Sequence, residues 1–241
     1  MKKAFLQLHM AVFLAGFTAI LGKLILLNEG MLVWWRLLIT IVVLAVLLLI
    51  RGELKAIGIK DFLKIAGVGF LVAFHWVAFY GSIKYSNVSV ALVCFSATGF
   101  FTALFEPLIL KKKLAVPDLF FGLLAIAGIY IIFDFHPQYK MGILFGILAA
   151  LGSAVFPIFN KILLQQFNAR VLTIYEFTGG LLSLCILLPF YFIYFKPAYY
   201  FPAAADWGWL LILSVLCTVI MFDLQLKALR KVSAFTVSLS Y

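Results

Sequence analysis

Residues 84–114, KYSNVSVALVCFSATGFFTALFEPLILKKKL, decide the reading of this chain. The stretch leaves a polar connector, Lys84 to Asn87, and then stays apolar to Leu110 but for Glu106. A helix needs about 20 apolar residues to cross a hydrocarbon core about 30 Å thick. Lys111, Lys112 and Lys113 close the run, as lysines do at the cytoplasmic end of a span. The other segments share this character. Of 241 residues, 66% are apolar and 12% charged, with a mean hydropathy of +1.17. A soluble domain is roughly 45–50% apolar and about 25% charged. The apolar segments here lack the polar face that a soluble helix needs, so the excess faces lipid.

Eight runs of spanning length follow in order: 5–27, 31–50, 62–83, 88–110, 116–133, 141–163, 171–195 and 207–226. A ninth begins near Val232 and reaches Tyr241, about half the length of a crossing. The first run is a span and not a signal peptide, because it is too long for an h-region and no small-x-small cleavage site follows. Connectors are short, so the chemistry lies in or at the bilayer. With the N-terminus inside, fourteen lysines and arginines fall on the cytoplasmic side and four outside, Arg36 lying within a span. That asymmetry sets a cytoplasmic N-terminus in a cell membrane.

The +10 net charge is spread over the ends of the apolar runs and forms no basic arm or patch, which excludes nucleic acid as a partner. Cys94, Cys185 and Cys217 sit inside apolar runs without metal-ligand spacing, so no metal, disulfide framework or cofactor is expected.

A repeat is written into the span order. SNVSVALVCFS at 86–96 is echoed by RKVSAFTVSLS at 230–240, with four identities in eleven positions at an offset of 144. Span four starts outside and the final run starts inside, so equivalent halves would lie upside down relative to each other. Gly22-Lys23-Leu24 at the end of span one and Asn160-Lys161-Ile162 at the end of span six repeat at an offset of 138. The expectation is an all-α integral membrane protein of inverted five-helix repeats, a common transporter construction. The repeats are residues 5–133, with spans one to five, and 141–241, with spans six to eight and part of nine. Carrying Phe133 forward by the same 144 places a full second repeat near residue 277, beyond Tyr241.

The phrases HWVAFYGSIKYSNVSVAL and FFTALFEPLIL, the arginine in span two and the closing KALRKVSAFTVSLSY resemble the EamA-type family of the drug/metabolite transporter superfamily. The likeness covers essentially the whole chain. It implies ten helices in two inverted repeats and export of small metabolites, often amino acids. The chain departs from the family pattern at its C-terminus and at Lys111–Lys113, where the family often has an acid.

Ionisable residues inside spans face a cavity or a partner by default. Arg36, beside Trp34 and Trp35 and about 8 Å below the outer boundary, fits two roles. It is either an anion or carboxylate contact at the mouth of a cavity, or a side chain snorkelling between belt tryptophans. Glu176 sits equally far into span seven from the other side, about 15 Å away in depth, so the two read as groups near opposite mouths. Glu176 is a candidate proton or amine contact, or else a structural partner of Lys161 or Arg170. His75 is a candidate proton relay, and Trp76 with Tyr80 a candidate wall for an apolar or aromatic substrate. Glu106 and Asp223 are weaker path candidates that also suit pairing, with Lys111–Lys113 and with Lys227 at i,i+4 respectively. His9 is weaker still. Gly142, Gly146 and Ala150 form a small-residue stripe suited to close helix packing. Pro107, Pro157 and Pro189 each remove a backbone donor within a span.

These features point to a secondary carrier of amino acids or small, mostly neutral or aromatic metabolites, with protons as a candidate coupling ion. A phosphate-binding GxxxxGK[ST] loop is missing, as are HExxH and GxSxG. Nucleotide drive and a membrane-embedded enzyme are therefore disfavoured, while a non-transporting scaffold stays open as the alternative.

Overall fold

In lipid every backbone N–H and C=O must be satisfied within its own segment, so long apolar runs fold as helices. A computed structural model describes residues 2–112, 123, 127, 128, 130, 131 and 137–240. Its helices are α1 (Lys2–Leu24), α2 (Glu29–Ile50), α3 (Ile59–Tyr85), α4 (Val88–Phe95), α5 (Thr98–Leu110), α6 (Lys140–Leu163), α7 (Ala169–Tyr194), α8 (Ala204–Ser214), α9 (Met221–Leu229) and α10 (Ala234–Leu239). Seven segments are long and apolar enough to cross a membrane; α4 with α5 forms one of them, and α8 through α9 another. The expected span 116–133 falls outside the described residues apart from isolated positions.

Two spans are less regular than hydropathy predicts. Span four breaks at Ser96-Ala97, where the Ser96 hydroxyl donates to the Val93 carbonyl and Thr98 to Phe95, both at 2.6 Å. Serine and threonine compete in this way with the helical ladder. Span eight widens into a π-helical stretch, Val215–Ile220, between α8 and α9, and the Thr218 hydroxyl donates to the Leu213 carbonyl five residues back. Hydropathy is blind to both features, because the residues stay apolar or small through each break.

Capping asparagines start the helices that follow short connectors. The side chains of Asn28, Asn87 and Asn168 accept from the N–H groups of Met31, Val90 and Val171. Ser233 does the same for Thr236 at the start of α10. Each cap satisfies a donor that the first turn leaves orphaned.

Hydrogen bonds sort the connectors into two ends. At one end, Lys84 donates to the Ile25 carbonyl at 2.6 Å, and the Asp206 carboxylate accepts from the Leu26 N–H at 3.2 Å. There Asn28 also donates to the Phe195 carbonyl. The other end carries most of the bases: Arg170 joins Glu53, Lys161 donates to the Val232 carbonyl, and Arg230 donates to the Phe167 carbonyl.

Helix α3 packs most extensively against α6 and α7, and the crossings are set by small residues. A Cβ on Gly142 would strike Ser86, and one on Gly146 would strike Cys94, while Ala150 is fully buried. The stripe on α6 thus receives the α3–α4 corner. At the α3–α7 crossing the backbones themselves meet: a Cβ on Gly69 would overlap the Glu176 carbonyl, and one on Gly180 the Gly69 carbonyl. Backbone cannot rotate away as a side chain can. Gly69→Ala is therefore expected to destabilise the protein by about 1–3 kcal/mol. Gly67→Ala, at a position with open space around it, is neutral or stabilising. Thermal unfolding of the two variants in detergent checks the contrast; equal behaviour would contradict the backbone contact.

Candidate functional site

The site is organised by a cation taken out of water. Arg36 lies two turns into α2 with no solvent exposure. Its Nε donates to the Thr218 hydroxyl at 2.8 Å, Nη1 to the Tyr80 hydroxyl at 2.8 Å, and Nη2 to the Cys217 carbonyl at 3.1 Å. The guanidinium sits over Trp76, its Cζ 3.7 Å from the ring centroid, a cation–π contact. Every one of these partners is neutral. Among the described residues, no carboxylate pairs with Arg36.

Local structure explains how the cradle forms. The π-helical stretch of span eight is the segment that turns the Cys217 carbonyl and the Thr218 hydroxyl towards α2. Such bulges recur at functional sites because they re-aim groups that a regular helix would hide. Thr40 and Ser214 donate to the Arg36 carbonyl, tying the backbone of α2 to span eight. Tyr80 is seated against α1 at Gly22, where any Cβ would collide with its ring.

Arg36, His75 and Trp76 line a cavity of about 280 Å³ in the middle of the bundle. Val12, Gly16 and Thr18 of α1, Leu92 and Phe95 of α4, Ser153 and Phe156 of α6, and Phe222 and Gln225 of α9 complete its walls. The rings interlock: His75 stacks on Phe156 at 5.1 Å, and Phe222 meets Trp76 at 5.7 Å and Phe177 at 4.9 Å. Pro157, inside α6, has no N–H to offer the carbonyl of Ser153 one turn earlier. The cavity is thus mainly aromatic, with one cation and a few neutral polar groups.

Several expectations change at this point. Arg36 does not snorkel; it points into the bundle, while Trp34 and Trp35 bond elsewhere, to Cys185 and to the Tyr200 carbonyl. Tyr80 holds Arg36 from behind and does not line the cavity. Glu176 pairs with neither Lys161 nor Arg170. It is fully buried, and one of its oxygens accepts from the Asn160 amide at 3.0 Å. His75 places Nδ1 at 2.9 Å from the Val72 carbonyl, a contact within its own helix. His9 is exposed on the outer face of α1.

Glu106 and Asp223 belong to the basic end and not to the cavity lining. Glu106 accepts from the Phe235 N–H at 2.7 Å, capping α10, and lies 3.7 Å from Lys112. Asp223 pairs with Lys227 in the anticipated i,i+4 register and also with Arg170 at 3.7 Å. At the other end, Glu29 was not anticipated. It is buried, and accepts from Tyr191 at 2.5 Å and from Tyr85 at 3.4 Å. Its only signal in the sequence was an acid placed directly after a capping asparagine. Thr218, Phe156, Phe222 and Gln225 carried no sequence signal beyond being span residues.

Comparison with known proteins now fits this geometry. The sequence profile of the EamA-like transporter family matches residues 2–134 and 140–241. The chain belongs to the EamA-like transporter family. It is a multi-pass membrane protein of the drug/metabolite transporter superfamily, which serves small-molecule transport and not catalysis. One solved structure, described only as a crystal structure of a protein, superposes with a TM-score of 0.68 at 17% identity. The alignment covers 99% of this chain and 83% of that one, a likeness of fold. No curated protein matches the chain significantly. Among the described residues of this EamA-like protein, no group of three His, Cys, Asp or Glu side chains could hold a metal ion.

The clasp at the basic end has a pH signature. The Arg170 guanidinium donates to both oxygens of Glu53, at 2.9 and 2.7 Å, and holds the Glu53 carboxyl below its ordinary range. A depressed folded value stabilises the clasp above the unfolded value, about 4.3, and the gain is lost as pH falls through the folded one. Acidification is therefore expected to lower the amide protection factors of the 51–58 loop, each taken relative to the intrinsic exchange rate at that pH, with Glu53→Gln poorly protected at all pH values. Hydrogen exchange measured across that range checks this.

Proposed function

We propose that the chain is a secondary carrier of small carboxylate-bearing metabolites, amino acids foremost, working by alternating access through the central cavity. One observation carries this reading: the Arg36 charge is buried on the cavity wall with only neutral partners. A buried ion without a counter-charge is costly. A carboxylate entering the cavity would supply that counter-charge, and the aromatic walls would take an apolar or aromatic side chain.

Two inverted repeats, 5–133 and 141–241, form the working halves in this reading. Matched devices at opposite ends support it. Asn28 caps the second helix of the first half, and Asn168 caps the second helix of the other. Lys84, at the end of span three, donates to a carbonyl in the connector between spans one and two. Arg230, at the end of span eight, does the same for the connector between spans six and seven. Span four and α10 meet where the Thr102 hydroxyl donates to Ser238 at 2.9 Å. In this reading the basic end faces the cytoplasm of a cell membrane, as the positive-inside asymmetry supports, and export is the direction the family resemblance favours. Rocking of the halves would make and break the two sets of end contacts in turn.

The test is flux of a labelled amino-acid mixture in proteoliposomes. Arg36→Gln is expected to weaken apparent affinity about ten- to a hundred-fold, the worth of a hydrogen bond to a charge. His9→Gln, on the outer face, leaves flux unchanged. Equal flux in wild type and Arg36→Gln would exclude the carboxylate reading.

A further inference from the structure

We propose that Asn160 and Glu176 form a proton-binding site in which Glu176 is a neutral carboxylic acid in the conformation seen here. Glu176 lies on α7 and Asn160 near the end of α6, both without solvent exposure. The amide Nδ2 of Asn160 donates to Glu176 Oε1 at 3.0 Å. The two remaining atoms of the pair, Glu176 Oε2 and Asn160 Oδ1, are both buried and have no hydrogen-bond partner among the described residues. An ionised carboxylate would leave two acceptors facing a site without a donor. A proton on Oε2 supplies the donor that the pair lacks.

Among the described residues, no charge nearby replaces that proton. On α6, Lys161 donates to the Val232 carbonyl. On α7 itself, Arg170 is engaged by Glu53 and Asp223, and the Tyr175 hydroxyl donates to the Lys55 carbonyl. On α9, Asp223 is held by Lys227. On α2, Arg36 is bound to Tyr80, Thr218 and Cys217. On α3, Lys64 and Asp61 pair with each other at the surface, and His75 contacts its own helix. Helix α3 also covers the site with backbone, since Gly69 abuts the Glu176 carbonyl. A desolvated carboxylate with one neutral donor is far less stable there than the neutral acid.

Deprotonation breaks the Oε2–H bond, leaves the electron pair on the carboxylate and gives the proton to water. That requires water to reach the end of α6 against α7, so proton binding favours the arrangement described here, in which both side chains are buried. The neighbouring Phe177 packs on Trp76 at 5.5 Å, and Trp76 carries Arg36 and lines the cavity. A link between proton release and cavity opening rests on the carrier reading above; the protonation itself does not.

Infrared spectroscopy of the protein in lipid at neutral pH tests it without any substrate. The expected result is a protonated-carboxyl C=O band that moves with ¹³C-labelled glutamate in the wild type and disappears in Glu176→Gln. Glutamine keeps the shape and offers both an acceptor and a donor, so Glu176→Gln is expected to keep the wild-type unfolding temperature at acidic pH, where the unfolded chain's glutamate is also neutral, and to exceed it at neutral pH. It is also expected to lack the fall in stability that wild type shows as pH rises from about 4.3, where the unfolded chain's glutamate ionises, to the point where the folded acid ionises. Absence of a glutamate-derived band in the wild type, where no variant has to fold, overturns the proposal. A band that persists in a folded Glu176→Gln protein also overturns it. Failure of amino-acid flux would sink the carrier reading and leave these measurements standing.

Discussion

The burial of one guanidinium constrains most of this structure. Arg36 needs hydrogen-bond acceptors, and an apolar bundle has few to give. The chain supplies them by opening span eight into a π-helical stretch, by turning Tyr80 inwards over a glycine of α1, and by laying Trp76 under the charge. Each solution ties a different helix to α2. The partners satisfy the guanidinium's hydrogen bonds and, among the described residues, set no carboxylate against its charge, which is the basis of the anion-binding role proposed above.

Around that centre the ends carry a different chemistry. Buried acids at one end, Glu29 and Asp206, accept from neighbouring hydroxyls and backbone, while at the other Arg170, Lys227 and Arg230 grip acids and carbonyls. These contacts join connectors at the two ends of the bundle. They are hydrogen bonds with partial exposure to water, cheaper to exchange than the aromatic packing between Trp76, Phe177 and Phe222. Glu176, held by Asn160, adjoins this packing through its neighbour Phe177.

Hydropathy made the spans legible because lipid leaves the backbone no alternative to helix. The seven segments of the described residues agree with it within a few residues, and the family likeness of 75–92 and 227–241 pointed to the right family. The intramembrane ions were equally visible, since Arg36 and Glu176 are conspicuous among apolar neighbours. Their partners were not. Arg36 reads beside Trp34 and Trp35 as a belt arginine, and only the packing of span eight onto α2 shows it turned inwards. Asn160 is a single amide in span six, and pairing it with Glu176 depends on a helix crossing that no local pattern encodes. Phe156 and Phe222 are indistinguishable in sequence from lipid-facing phenylalanines such as Phe13 and Phe190, which are exposed.

The most direct test of the central claim is the thermal stability of the purified protein in lipid nanodiscs, titrated with an aromatic amino acid and separately with its carboxamide. A ligand that binds only the folded state raises the unfolding temperature in proportion to its occupancy. The account predicts stabilisation by the acid, little by the amide, and loss of the difference in Arg36→Gln. Equal stabilisation by acid and amide in the wild type would mean that Arg36 does not receive a carboxylate.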